Sequence, residues 1–140
     1  MKNPPYEILI VEDNLAHLKL TQYVLQKNKV DSLITVMRDG QAALDYLFKK
    51  KEEEGEVKLS SPDIILLDLN LPKRDGREVL KLVKEDPVLK SIPVVIVSTS
   101  DREEDVSYAY EFGAAGYISK SSDFTKFSSE LGSVAQYITP

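Results

Sequence analysis

Residues 62–72 read Pro62-Asp63-Ile64-Ile65-Leu66-Leu67-Asp68-Leu69-Asn70-Leu71-Pro72, and they decide the fold. Ile64 to Leu67 are apolar without a break. A strand with one wet face alternates apolar and polar residues. A strand apolar at every position is buried on both faces, as in a parallel sheet covered by helices. The run then stops at an aspartate. In open α/β sheets ligands bind beyond the carboxyl ends of the strands, so Asp68 stands at a place where chemistry is expected.

Similar runs lie on either side. Ile8-Leu9-Ile10-Val11, Leu33-Ile34-Thr35-Val36, Val94-Val95-Ile96-Val97 and the shorter Tyr117-Ile118 are also rich in β-branched residues. The segments between them carry helical periodicity. Asn14 is positioned to cap a helix running to about Lys27, with Leu15, Leu18, Val24 and Leu25 for the core. Gly40 to about Lys50 offers Ala43, Leu44, Leu47 and Phe48, and Gly76 to Lys84 offers Val79, Leu80 and Val83. Ser100 and Glu103 have capping-box spacing, and Gly113 fits the end of that helix. Phe124, Phe127, Leu131, Val134 and Ile138 form one stripe at steps of three and four. Five strand-then-helix units follow one another. The expected class is α/β: a (βα)5 doubly wound, five-stranded parallel sheet with right-handed crossovers.

The 140 residues fit one domain, 1–140, with a core from about 6 to 138. The polar connection 49–62 is expected to be a solvated loop, with a partner-binding insertion as the alternative, and its Lys-Lys-Lys-Glu-Glu-Glu run can lengthen the preceding helix through i,i+4 pairs. Apolar residues make up 42% and charged residues 29%, a globular balance. The net charge of −5 and the lack of a basic stretch argue against nucleic acid held through its phosphates. Without cysteine there is no disulfide, thiolate metal site or cysteine nucleophile. No signal-peptide pattern or membrane-length apolar run appears, so a cytoplasmic protein is expected.

Glu12 and Asp13 follow strand 1, Asp68 and Asn70 follow strand 3, Ser98 follows strand 4, and Lys120 follows strand 5. Four strand ends therefore bring three carboxylates, a hydroxyl and an ammonium to one edge. Clustered carboxylates repel unless a cation joins them, and an all-oxygen set suits Mg2+. A carboxylate can also be a nucleophile that forms an aspartyl phosphate. Lys120 and Ser98 could then hold phosphoryl oxygens. Taken singly, each of these residues reads as a cap, a turn former or a solvated side chain. The set of them reads as a site. His17, the sole histidine, is expected to be solvated.

These pieces, with Asp75-Gly76, Ile92-Pro93 and Gly113 to Lys120, resemble the receiver domains of bacterial response regulators over nearly the whole chain. The resemblance implies the flavodoxin-like receiver fold and a stand-alone two-component phosphoprotein. Asp68 would accept a phosphoryl group from a sensor histidine kinase, directly or within a phosphorelay, and only the protein's own phosphotransfer and dephosphorylation would be catalysed. Asp13, Asp68 and the Asn70 carbonyl would ligate Mg2+ or Mn2+, with Glu12 acting through a water. Ser98 and Lys120 would grip the phosphoryl group. Ser98 and Tyr117 would switch the face of helix 4, strand 5 and helix 5, through which a homodimer is expected. The segment 67–80, the long 49–62 connection and Ser121 look most like the single-domain regulators paired with bacterial phytochromes.

Two positions depart from the family pattern. Glu12 replaces the usual aspartate and keeps its charge. Ser121 stands where most receivers have a proline after a cis bond. A cis bond before serine costs roughly 3 kcal/mol, so the peptide geometry there is left open by the sequence. A receiver-like binding module that needs no phosphorylation is the alternative. A haloacid-dehalogenase-like phosphatase would need Asp-x-Asp after strand 1, where Glu12-Asp13-Asn14 stands. A nucleotide binder would need a glycine-rich loop there.

Overall fold

The computed structural model describes residues 3–54 and 61–138. Five strands alternate with five helices: β1 (Tyr6–Val11), α1 (Leu15–Lys27), β2 (Ser32–Met37), α2 (Gly40–Glu54), β3 (Ile64–Leu67), α3 (Gly76–Glu85), β4 (Val94–Ser98), α4 (Glu103–Glu111), β5 (Gly116–Ser119) and α5 (Phe124–Gly132). Short 3-10 turns cover Leu89–Ser91 and Val134–Tyr137. The strands form one parallel sheet in the order β2-β1-β3-β4-β5. No described helix is long and apolar enough to cross a membrane.

The unbroken apolar runs feed two cores, one on each face. Successive strand residues point to opposite sides. Leu9, Val11, Ile65, Leu67, Val94 and Ile96 therefore meet α2, α3 and α4 through Leu47, Leu80, Val83 and Ala109. Ile8, Ile10, Ile64, Leu66, Val95, Val97 and Ile118 meet α1 and α5 through Leu25, Phe127 and Leu131. The chain steps one way from β1 to β2 with α1 on one face. It then steps the other way through β3, β4 and β5 with α2, α3 and α4 on the opposite face. All the crossovers thus share one hand, as right-twisted strands require. The winding reverses between β1 and β3, where the carboxyl ends splay open and ligands bind in this class of sheet.

Local signals explain most of the element ends. Asn14 caps α1, its Oδ1 accepting the His17 N–H at 3.1 Å. Asp75 caps α3 through the Arg77 N–H. Gly113, at φ +98°, ends α4 with the paired bonds Gly113 N–H to Tyr110 and Ala114 N–H to Ala109, a Schellman stop.

Several expectations are corrected. Leu15 is 51% exposed, because it stands in the first turn of α1 beside exposed Asp13 and Asn14. Phe124 is also exposed at the start of α5, where the Lys27 ammonium lies 5.3 Å from its ring centre. The final stripe is not one helix. After Gly132 the chain tightens into a 3-10 turn that still buries Val134. Ser100 and Glu103 form no capping box. Arg102 is the N-cap without a side-chain bond, and the Ser100 hydroxyl instead donates to buried Asp105 at 2.5 Å. The lysine–glutamate run continues α2 to Glu54 rather than opening a loop at Lys50. The rest of the predicted loop, 55–60, lies outside the described residues.

Candidate functional site

The splayed ends of β1, β3, β4 and β5 gather the candidate residues. Asp68 leaves β3 with its backbone N–H bonded to the Val11 carbonyl at 3.1 Å, which ties it to the end of β1. Its Oδ1 accepts the Asn70 N–H at 3.1 Å, and its Oδ2 lies 3.2 Å from the Lys120 ammonium. The residue is 7% exposed, sunk in the cleft but open to it. Glu12 lies deeper, its Oε2 accepting the Asn14 N–H at 3.2 Å and its Oε1 accepting from Lys120. Burial raises the Glu12 carboxyl above its ordinary range. The Lys120 ammonium opposes that rise and the Asp68 carboxylate adds to it. Asp13 is exposed, and its backbone carbonyl is held by Arg38 at 2.7 Å. Ligand oxygens of Glu12, Asp13 and Asp68 all lie within 4.8 Å of one another.

The backbone enforces this shape at Gly76. A Cβ there would stand 2.1 Å from the Asp68 carbonyl oxygen and 2.6 Å from the Leu69 Cα, so only glycine lets α3 start against the Asp68 loop. Gly40 plays the same part for the far end of that loop, where a Cβ would meet the Arg74 carbonyl at 2.0 Å.

Ser98 is fully buried at the end of β4. Its Oγ accepts the Ser100 N–H at 3.2 Å, and its carbonyl accepts the Lys120 N–H at 2.7 Å. Tyr117 donates its hydroxyl to the Ser100 carbonyl at 2.7 Å. The Lys120–Ser121 peptide bond is trans. Ser121 holds the turn through its hydroxyl on the Thr99 carbonyl, at 2.6 Å, and its N–H on Ser119 Oγ.

Two contacts were not expected. His17 is half-buried rather than solvated, its Nδ1 3.2 Å from Lys120 Nζ. Its place four residues after Asp13, one turn into a helix that starts at the cleft, was the available signal. Arg77 binds Asp105 at 2.7 Å, linking α3 to α4 beneath Ser100. No local pattern marks a pair 28 residues apart.

The Lys120 ammonium is paired with Glu12 and Asp68, and the cluster holds a third carboxylate in Asp13. A hard divalent cation with oxygen ligands fits that donor set. Asp13, the exposed member, is open to such an ion.

The family described as response regulator receiver domain matches residues 8–131. Response regulator Rcp1 of Synechocystis sp. is 47% identical over 119 residues, covering 85% of this chain and 79% of that protein. The probable methanogenesis regulatory protein FilR2 of Methanothrix harundinacea is 38% identical over 95% of this chain and 83% of that protein. Among solved structures, the Mn2+-bound form of Rcp1 superimposes with a TM-score of 0.79 at 41% identity, covering 95% of this chain and 94% of that one. The phosphorylated cyanobacterial phytochrome response regulator RcpA gives 0.78 at 42%, covering 95% and 93%.

Proposed function

The chain belongs to the response regulator receiver domain family, and from that premise we propose that Asp68 takes a phosphoryl group from a sensor histidine kinase. The observation that carries the reading is the setting of Asp68: a barely exposed carboxylate, 3.2 Å from an ammonium and clustered with two more carboxylates.

In the transfer an Asp68 carboxylate oxygen attacks phosphorus, the bond from phosphorus to the donor's imidazole nitrogen breaks, and the imidazole leaves. Asp13, Asp68 and the Asn70 carbonyl would hold Mg2+ or Mn2+, with Glu12 bound through a water. Bound there, the ion supplies positive charge for the phosphoryl oxygens. Lys120 lies against Asp68 before transfer and is at hand to hold a phosphoryl oxygen after it. Ser98 supplies the second grip. For that its hydroxyl leaves the Ser100 N–H and donates to the phosphoryl group.

The same motion would carry the signal. Tyr117 is bonded to the Ser100 carbonyl, so displacing the Ser98–Ser100 turn removes the phenol's anchor. The face of α4, β5 and α5 then changes shape through a two-state element biased by new charge-assisted bonds. We assign output to that face, by protein contact and as a homodimer, and α4 contributes the exposed Tyr110. A kinase of the phytochrome class is the proposed donor, since RcpA is described as a phytochrome response regulator.

The test is intact mass after incubation with acetyl phosphate and Mg2+. One phosphoryl adduct is expected, lost with EDTA and absent in Asp68→Asn. No adduct under any condition would favour a binding module that works without phosphorylation.

A further inference from the structure

Lys120 has three N–H donors and no acceptor. Its ammonium meets three groups: Glu12 Oε1, Asp68 Oδ2 at 3.2 Å and His17 Nδ1 at 3.2 Å. The two carboxylates have other work. Both belong to the cluster that fits a divalent cation, and Asp68 is the phosphoryl acceptor in the reading above. A cation drawn to Glu12, or a phosphoryl group on Asp68, therefore competes for the lysine's anionic anchors. The imidazole of His17 is a neutral acceptor outside that competition.

We infer that His17 is a positioning residue for phosphoryl transfer: its Nδ1 keeps the Lys120 ammonium aimed at Asp68 when the carboxylate contacts are exchanged. An ammonium can only donate, so Nδ1 carries a lone pair and the ring proton sits on Nε2. The surroundings favour that neutral ring. Burial, and then the Lys120 charge, lower the His17 pKa, while Asp68 and Asp13 pull the other way. The anchor is also placed by rigid structure. His17 lies in the capped first turn of α1, and its backbone N–H is bonded to Asn14 Oδ1 whatever its side chain.

This inference rests on phosphorylation at Asp68, and its test separates the two. Wild type, His17→Leu and His17→Asn are compared in single-turnover phosphorylation by acetyl phosphate at saturating Mg2+. Asparagine places Oδ1 near the position of Nδ1, whereas leucine fills the space without an acceptor. His17→Leu is expected to lower the rate constant about tenfold with the donor half-saturation little changed, since misplacing a reacting group acts on the chemical step. His17→Asn is expected to recover most of the rate. Mg2+ affinity by calorimetry should be the same in all three. NMR of the Lys120 ammonium should report slower proton exchange in wild type and His17→Asn than in His17→Leu. Failure of wild type to take up phosphate overturns the reading of the site. Wild-type phosphorylation with equal rates in His17→Leu, or with equal losses in the two variants, overturns the inference and leaves the reading standing.

Discussion

Replacing Arg77 with methionine removes one partner of the buried link between α3 and α4. Arg77 Nη2 lies 2.7 Å from Asp105 Oδ1, with the two side chains 29% and 10% exposed. Stripping the partner from a fully buried charge costs about 3–5 kcal/mol, whereas a surface pair is worth about 0–1. The arginine is partly wet, and Asp105 keeps the Ser100 hydroxyl at 2.5 Å. We therefore expect a loss of about 2 kcal/mol, between those limits. Unfolding entropy of about 2.1 cal/mol/K per residue makes this a drop in Tm of about 7 °C.

The sign with pH follows from the carboxyl. The Ser100 hydroxyl first, and Arg77 next, hold the Asp105 pKa below its ordinary value. A depressed folded pKa stabilises above the unfolded aspartate value of about 3.9 and stops doing so as pH falls through the folded value. The gap between wild type and Arg77→Met should be full at pH 7 and should narrow below about pH 4. Urea unfolding at both pH values, in a double-mutant cycle with Asp105→Asn, isolates the pair from the second contact of Arg77 with Asp75. An unchanged midpoint in Arg77→Met, or a gap as wide at pH 3 as at pH 7, would refute the assignment. Arg77 is engaged with Asp75 and Asp105 rather than with the Glu12, Asp13 and Asp68 cluster, so uptake of phosphate by the variant should persist.

Gly76→Ala should destabilise by about 3 kcal/mol and sharply cut adduct formation, because its Cβ meets backbone of Asp68 and Leu69 that cannot yield; urea unfolding and intact mass check the two effects. Mg2+ at a hundredfold excess over its dissociation constant should stabilise wild type by about 2.7 kcal/mol and do much less for Asp13→Asn, as read by thermal unfolding. With Glu12 raised above the ordinary carboxylate range, protons compete for the site earlier as pH falls than they would for an unperturbed carboxylate; Mg2+ affinity by calorimetry should weaken on acidification, and less steeply in Glu12→Gln. Light scattering with and without acetyl phosphate should show a dimer that Tyr110→Glu weakens, and an invariant monomer would defeat the proposed α4–β5–α5 interface.

Legibility in the sequence followed the range of the interactions. β3 was read to the residue because a run apolar on both faces leaves one option, and Asp68 marks where burial stops. Asn14 and Gly113 were legible because a cap or a Schellman stop needs only residues within a turn. The capping box at Ser100 failed for the opposite reason. Its hydroxyl was claimed by Asp105, which is itself held by an arginine on another helix, and such a competitor leaves no trace in a four-residue window. Leu15 and Phe124 failed where a stripe reaches a helix's first turn, since periodicity fixes a face but not whether anything covers it.

The cleft residues were found by topology rather than by motif. Strand ends of a parallel sheet converge, and that alone brings Glu12, Asp68, Ser98 and Lys120 to one edge. Their contacts were not determined by that placement. Lys120 reaches Asp68 from a turn whose course depends on the Ser121 hydroxyl gripping Thr99, a bond across 22 residues. His17 joins the cleft because the α1 cap sets the first-turn phase that brings its ring towards Lys120. An isolated histidine on a helix has no such address. What converts it from a solvated side chain into a partner of Lys120 is the simultaneous fixing of helix phase and strand end, and both are properties of the assembled sheet.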